Sequence, residues 1–333
     1  SYDLLAPGEQ ALFRRLAVFA RGFTLEAAQA VCSVADNASP DSEQAPASAV
    51  LDGIATLVDQ NLLKQMEQAG SEPRFGMLET IREYGLEQLV ASGEAEAIRR
   101  RHVDFFLTLA EAHEPALLGP ERNSVLAQLE AELDNLRAAT AWSQTDPGSA
   151  EVGLRLAGAL AWFAHFANHT GEARNWLMLA LKRSSEPTAA RAKALWGAGL
   201  IAMPQGDART ASTLLEESVA LWRRLSDPGG LATSLREQGF AAFSQGDAAA
   251  AQRYCEESVA LWRAMGSEWN LALSLFVLGC TANLRGDQTA ALTLFAESRS
   301  LFRDLKDAWG SAIALIGQGF VSGKRGDYTT ARA

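Results

Sequence analysis

The chain has 333 residues, 48% hydrophobic and 21% charged, with a formal net charge of −10 and a pI near 5.0. That is enough chain for two or more cores, and its acidity argues against broad nucleic-acid binding, which needs a basic footprint to neutralise phosphates. Cys32, Cys255 and Cys280 form no C-x-x-C pair, so neither a cysteine zinc site nor a disulfide framework is indicated, and a reducing cytoplasm fits.

No basic-then-apolar leader opens the chain. The most apolar run, residues 154–167, is too short to span a bilayer and contains Arg155 and His165. A soluble cytoplasmic protein without membrane partners is expected. Both ends are expected to be cuts within a longer protein, since SYDLLAPGEQ enters a helix at once and RGDYTTARA stops partway through a repeat.

Pro7-Gly8-Glu9 opens a helix with Leu12, Leu16 and Phe19 on its apolar stripe, stopping at Arg21-Gly22. Thr24 reads as the N-cap of a second helix running to about Ser33. Residues 34–48 form a polar loop. A third helix, about Ala49 to Gln60, carries Leu51, Ile54, Leu57 and Val58. Two short β-like runs follow, 62–66 and 74–77, with Gly and Pro between them.

Three helices and then a hairpin is the order of a winged helix. The stretch FGMLETIREYGLEQL, residues 75–89, then supplies a fourth helix, with Leu78, Ile81, Gly85 and Leu89 on one face. A DNA-reading third helix should present Arg, Lys, Asn or Gln to base edges. This one has no basic residue and carries Asp52 and Asp59, which speaks against groove binding. Arg99-Arg100-Arg101 is the one local basic patch, and it reads first as a solvated face.

The segments SYDLLAPGEQALFRRLAVFARGFTLEAAQAVC, VLDGIATLVDQNLLK and FGMLETIREYGLEQL, with RRRHVDFFLTLAE after them, resemble bacterial STAND-type regulatory ATPases of the LuxR-like or NB-ARC-like kind. The resemblance implies a winged helix that follows a nucleotide-binding domain and precedes helical sensor repeats. In NB-ARC relatives a Met-His-Asp triplet after the wing approaches the nucleotide phosphates. Met77, Leu78 and Glu79 occupy those places here, and Leu78 cannot donate a hydrogen bond to phosphate. The three are therefore expected to form a mechanical hinge against the protein's own nucleotide domain, with Leu78 and Ile81 packing. No Walker A sequence occurs, so no enzyme activity and no cofactor are expected in this chain. ATP or ADP would belong to the full-length protein.

Residues 94–184 read as long helices. One has its stripe at Ile98, Val103, Phe106 and Ala110. A second follows Gly119-Pro120 with Leu126, Leu129, Leu133, Leu136 and Ala139 inward, and two more span about 149–168 and 171–183. His165 and His169 stand four apart, but nothing nearby completes a metal site, and no catalytic pair is singled out.

From about residue 187 the chain copies itself. QGDARTASTLLEESVALWRRL, QGDAAAAQRYCEESVALWRAM and RGDQTAALTLFAESRSLFRDL align without gaps, and RGDYTTARA begins a fourth copy. Gly206, Gly246, Gly286 and Gly326 stand forty residues apart, as do Gly199, Gly239, Gly279 and Gly319. In each unit the first Gly lets helix B approach helix A, the second ends helix A, and the following Asp caps helix B. Ala211, Ala251, Ala291 and Ala331 mark the crossing. The pattern is similar to tetratricopeptide repeats, lengthened from about 34 residues.

The resemblance to those repeats places Lys193, Trp196, Leu200, Met203, Arg236, Phe240, Phe243, Phe276, Ile316 and Phe320 on the concave face. They would line a groove for a peptide, protein or small-molecule effector, or pack against the superhelix's own neighbours.

The expected fold is mainly α: a winged-helix domain with a small β-hairpin over 1–92, a helical connector over 93–184, and a TPR-like α-solenoid over 185–333. The expected function is sensing and protein interaction in a STAND-type regulator. A constitutive TPR scaffold and a DNA-binding winged-helix regulator remain as alternatives.

Overall fold

The structure, a computed structural model, describes residues 2–33, 47–66 and 73–324. The chain divides into two compact units. The first is residues 1–110 with 128–146, and the second is 111–127 with 147–333. Residues 93–184, expected as a connector, form no third body and are shared between the two.

In the first unit, α1 (Pro7–Leu16), β1 (Phe23–Thr24), α2 (Leu25–Cys32), α3 (Ala47–Asp59), β2 (Lys64–Met66), β3 (Arg74–Gly76) and α4 (Glu79–Ala91) give the expected winged-helix order. The Thr24 hydroxyl accepts from Ala27 N at 3.2 Å and so caps α2. The hairpin gains an unforeseen third strand, in order β1-β3-β2, with Phe23 opposite Phe75 and Gln65 opposite Phe75 on the other side. Helix α1 ends three residues before Phe19, which is buried beyond it among Phe23, His102 and Phe106. Phe13, Leu16, Ile54, Leu57 and Leu89 fill the core, each contributing roughly 1.5–3 kcal/mol by burial. Gly85 lets α4 cross α1 closely, since a Cβ there would sit 2.7 Å from that of Ala17.

Parts of two further helices and the whole of a third complete this unit. The N-terminal part of α5 (Ala95–His113) buries Ile98, Val103, Phe106 and Ala110 as expected. The expected single helix after Pro120 is instead two, α6 (Arg122–Ala131) and α7 (Leu133–Thr145). The break falls at Glu132, whose carboxylate is held by the buried Arg74 of β3 and by Asn135 Nδ2 at 2.8 Å. Asn135 also accepts from Ala20 N and donates to Gly22 O, both at 2.8 Å. Buried polar groups of α7 thus satisfy backbone atoms of the α1–β1 turn that would otherwise be orphaned.

The second unit contains a 3-10 turn (Glu114–Leu117), α8 (Ala150–Ala159), α9 (Ala161–Phe166) and α10 (Thr170–Arg183). The expected helix over 149–168 bends at Leu160, between α8 and α9. Then come α11 (Ala189–Ala202), α12 (Ala208–Leu225), α13 (Pro228–Ser244), α14 (Ala248–Met265), α15 (Glu268–Leu284), α16 (Gln288–Asp304) and α17 (Ala308–Lys324). Helices α11, α13, α15 and α17 neighbour one another directly, which makes them the inner layer of the solenoid.

The repeat chemistry matches the forty-residue pattern. Gly246 has φ 80° and ends α13, and Asp247 caps α14 by accepting from Ala250 N at 3.0 Å. At Gly239 a Cβ would lie 2.4 Å from Cys255 Sγ, so only glycine admits α14 there. Ala211, Ala251 and Ala291 are buried at the crossings; Gly326 and Ala331 lie outside the described residues. A buried serine ladder was not anticipated. Ser218, Ser258 and Ser298 each donate to the carbonyl twenty-six residues earlier, at 2.7–2.8 Å. Arg223 and Arg263 reach Glu257 and Glu297 of the following copy, at 2.8 and 2.6 Å, so this motif joins repeats.

Candidate functional site

In the first unit, Leu78 is the N-cap residue of α4, and its carbonyl accepts from Ile81 and Arg82 N. Leu78 is 49% exposed, so it is not packed within this unit. The chain turns from β3 into α4 here, and the backbone bonds at this corner aim the side chain outward. Met77 and Ile81 are half-buried. Glu79 is exposed and pairs with Arg82 at 2.6 and 3.1 Å, which holds its carboxyl below the usual range. Arg82 in turn reaches Ala17 O at 3.5 Å. Two arginines of the basic triplet are engaged as well: Arg100 pairs with Glu96, and Arg101 donates to Ser33 O at 2.8 Å.

In the second unit the expected groove residues separate into three groups. Lys193, Trp196 and Arg236 meet segments of their own chain. Lys193 is ion-paired with Glu114 of the 3-10 turn. Trp196, 4% exposed, packs against Trp162 of α9 with ring centroids 5.7 Å apart. Arg236, 0% exposed, bonds Glu237 at 2.9 Å and Asn270 at 3.0 Å, and its guanidinium lies 5.8 Å from the Trp162 ring. Leu200 is buried and Met203 half-buried. Phe240 and Phe243 stack on each other at 6.0 Å, and Phe276 packs on Phe295 at 5.7 Å. Ile316 and Phe320, on the last described helix, are 57% and 68% exposed.

The inner layer is therefore not an open trough along its whole length. Segment 111–127 and helix α9 lie against it. Arg122 makes a bidentate bond to Asp307, at 3.2 and 2.8 Å, with both side chains buried. The same guanidinium sits 4.5 Å from the Phe166 ring and 5.0 Å from that of Trp309. Asp307 also accepts from Trp269 Nε1 at 2.6 Å and Gly310 N at 3.1 Å. Burial pushes that carboxyl up, but these donors outweigh it and hold it below its ordinary range. Sequence reasoning missed this clamp. The one available signal was the column Gly229, Trp269, Trp309, which repeats an aromatic at the forty-residue period.

Between these segments and the inner helices a chamber of about 220 Å³ remains. Trp162, Trp196 and Trp222 wall it, Lys193 and Glu114 meet at its edge, and Thr233 and Asn270 add polar atoms. Burial raises the Glu114 carboxyl, while the Lys193 ammonium pulls it back down. Trp196 Nε1 and Arg236 Nη2 are buried donors without a partner. Burial pushes the His165 ring down, with Glu237 opposing, and its Nδ1 is also unpartnered. Burial pushes the Cys32 and Cys255 thiols up to about 12, so neither is poised as a nucleophile. Among the described residues no three metal-ligating side chains cluster, and no helix is long and apolar enough to cross a membrane.

A winged helix-turn-helix domain model matches residues 5–90, and a tetratricopeptide repeat model matches residues 230–304. Proteins of Mycobacterium tuberculosis and Mycobacterium bovis, each named "Putative HTH-type transcriptional regulator", are 35% identical over 247 residues, which is 71% of this chain and 26% of theirs. The chain thus spans about a quarter of the length of these relatives. Among solved structures, a Rap protein complexed with Competence and Sporulation Factor aligns with a TM-score of 0.49 at 12% identity, covering 98% of this chain and 95% of that one. A STAND protein with a tetratricopeptide repeat sensor from Pyrococcus horikoshii aligns at 0.46 and 13%, covering 99% and 56%. The chain carries a winged-helix domain and TPR-like repeats, and over most of its length it is similar to proteins named as transcriptional regulators.

Proposed function

We propose that this chain is the sensor and interaction portion of a STAND-type transcriptional regulator. Its repeats bind an effector or partner, and its winged helix relays that event to a nucleotide-binding domain outside these 333 residues. The observation that carries this reading is the chamber beside Lys193 and Trp196, where buried donors lack partners on the inner layer of a repeat array. The exposed Leu78, at the turn into α4, supports a contact made outside this chain. ATP binding and hydrolysis belong, in this reading, to the nucleotide domain. The test is nucleotide exchange by the full-length protein with Lys193→Met and Trp196→Phe. Altered exchange or transcriptional output is expected, and unchanged values for both variants would sink the reading.

A second reading, a constitutive scaffold, is favoured by the Arg122–Asp307 clamp, which fills part of the inner layer with the chain's own side chains. A scaffold would hold one partner at constant affinity whether or not a small ligand is present.

A further inference from the structure

The chamber's unused hydrogen-bonding capacity is one-sided. Trp196 Nε1 can only donate, and it is buried without an acceptor. Lys193 offers three N–H groups, and the bond it makes here is to Glu114. Arg236 Nη2, behind the wall formed by Trp162 and Asn270, is a second donor without a partner. The neighbouring polar groups are partly engaged: Asn270 Oδ1 accepts from Arg236 Nη1, and the Thr233 hydroxyl donates to Gly229 O at 3.0 Å. A molecule that satisfies these unpartnered donors must bring oxygen acceptors.

The remaining walls are three indoles, which favour a flat apolar body by stacking or edge contact. Gly230 keeps this space: a Cβ there would meet the Trp222 ring at 2.4 Å and force it to move. A volume of about 220 Å³ falls below the roughly 300–1,000 Å³ of drug-sized sites, so the occupant is a fragment-sized molecule.

Glu114 is a carboxylate already seated on Lys193, so the site contains an internal copy of the headgroup it would accept. That copy is held under strain of desolvation, since burial raises its carboxyl. It sits on the four-residue 3-10 turn Glu114–Leu117, whereas Lys193 and Trp196 sit within α11.

We propose that the chamber binds a small aromatic carboxylate, whose ring packs among Trp162, Trp196 and Trp222 and whose carboxylate displaces Glu114 from Lys193 while accepting from Trp196 Nε1. Binding then frees the 3-10 turn from the inner layer, which couples occupancy to the segment leading into α6. This rests on the effector-sensing reading above and names the effector's chemistry.

The test is calorimetric titration of the whole 333-residue chain with phenylacetate and indole-3-acetate, against phenylacetamide and 2-phenylethylamine as uncharged and cationic counterparts. The acids are expected to bind at millimolar concentration or below, and the amide and amine at least about ten-fold more weakly. Lys193→Met should weaken the acids by about ten-fold or more, and Trp196→Phe by about three- to ten-fold. Glu114→Gln should tighten them several-fold, because the competing carboxylate is gone; a purely structural Glu114 would give no gain. Thermal melting of each variant checks that it is folded. Equal binding of the amide, weaker binding by Glu114→Gln in a folded protein, or no binding of either acid would each overturn the proposal. Acid binding with no change in full-length output would instead refute the sensor reading and leave the site standing.

Discussion

The sharpest stability prediction concerns Asp307→Asn. The change keeps shape, but Trp269 Nε1 and Gly310 N bond different carboxylate oxygens, so the one amide oxygen can serve only one of them, and Arg122 loses its counter-charge. Removing one partner of a buried ion pair costs about 3–5 kcal/mol. The Phe166 and Trp309 rings beside the guanidinium, at 4.5 and 5.0 Å, give back about 0.5–2 kcal/mol. A net loss of about 1–4 kcal/mol follows, or a fall of roughly 2–16 °C in the melting of a body of this size. Tryptophan fluorescence reports it directly, since Trp269 and Trp309 lie at the clamp. Arg122→Met removes the same pair from the other side, so the double variant should lose less than the sum of the singles by about 1 kcal/mol or more. The acid limb adds a sign. Asp307 has a depressed folded pKa, so its contribution is complete above the unfolded value near 3.8 and is lost as pH falls through the lower folded value. Additive single variants, or a change below about 0.5 kcal/mol for Asp307→Asn, would show that the pair is no more than a surface contact.

Other expectations follow from the same geometry. Burial pushes His102 down from 6.5 to about 4, with Asn135 at 3.5 Å only partly compensating. The folded state therefore favours the neutral ring, and the first unit should lose about 3 kcal/mol as pH falls from about 6.5 to 4. Urea titrations of His102→Gln should show a flatter pH dependence in that window, and an unchanged slope would refute the assignment. Gly239→Ala forces a methyl onto Cys255 Sγ and should destabilise by about 1–3 kcal/mol in denaturant melts, more than Gly323→Ala, where a Cβ meets nothing within 4 Å. With Asp52 and Asp59 exposed on α3, the chain should show no salt-dependent retention of duplex DNA in gel shifts. Binding whose log affinity falls steeply with log salt would contradict this.

The parts of the fold legible in the sequence are those written in a local period. The forty-residue glycines, the Asp caps and the Ala crossings follow from steric needs inside one repeat, so each copy states them again. The caps of α2 and the apolar stripe of α5 are equally local. Strand β1 is two residues long, too short to carry an alternation, and its pairing depends on Phe75 fifty-two positions away. The break at Glu132 depends on Arg74, and nothing near Glu132 in sequence announces it. The candidate site was half-visible. Lys193 and Trp196 lie in the expected concave columns, but Glu114 and Trp162 come from the stretch read as a connector. Their arrival turns an expected open groove into a walled chamber. Leu78 is the converse case, an apolar residue on a helical period that this unit leaves 49% exposed at the corner before α4.

The interleaving of the two units along the chain sets an order of events during synthesis. Residues 128–146 belong to the winged-helix unit, so that unit cannot close when the last residue of α4 leaves the ribosome. Arg122, made early, waits for Asp307, 185 residues later. At about 5–20 residues per second that delay is roughly 10–40 s. For that interval the guanidinium, and once they are made the Phe166 ring and Trp162 of α9, lack the clamp. The nascent chain thus carries an unfinished aromatic surface through most of its translation, and the last completed repeat is what closes it.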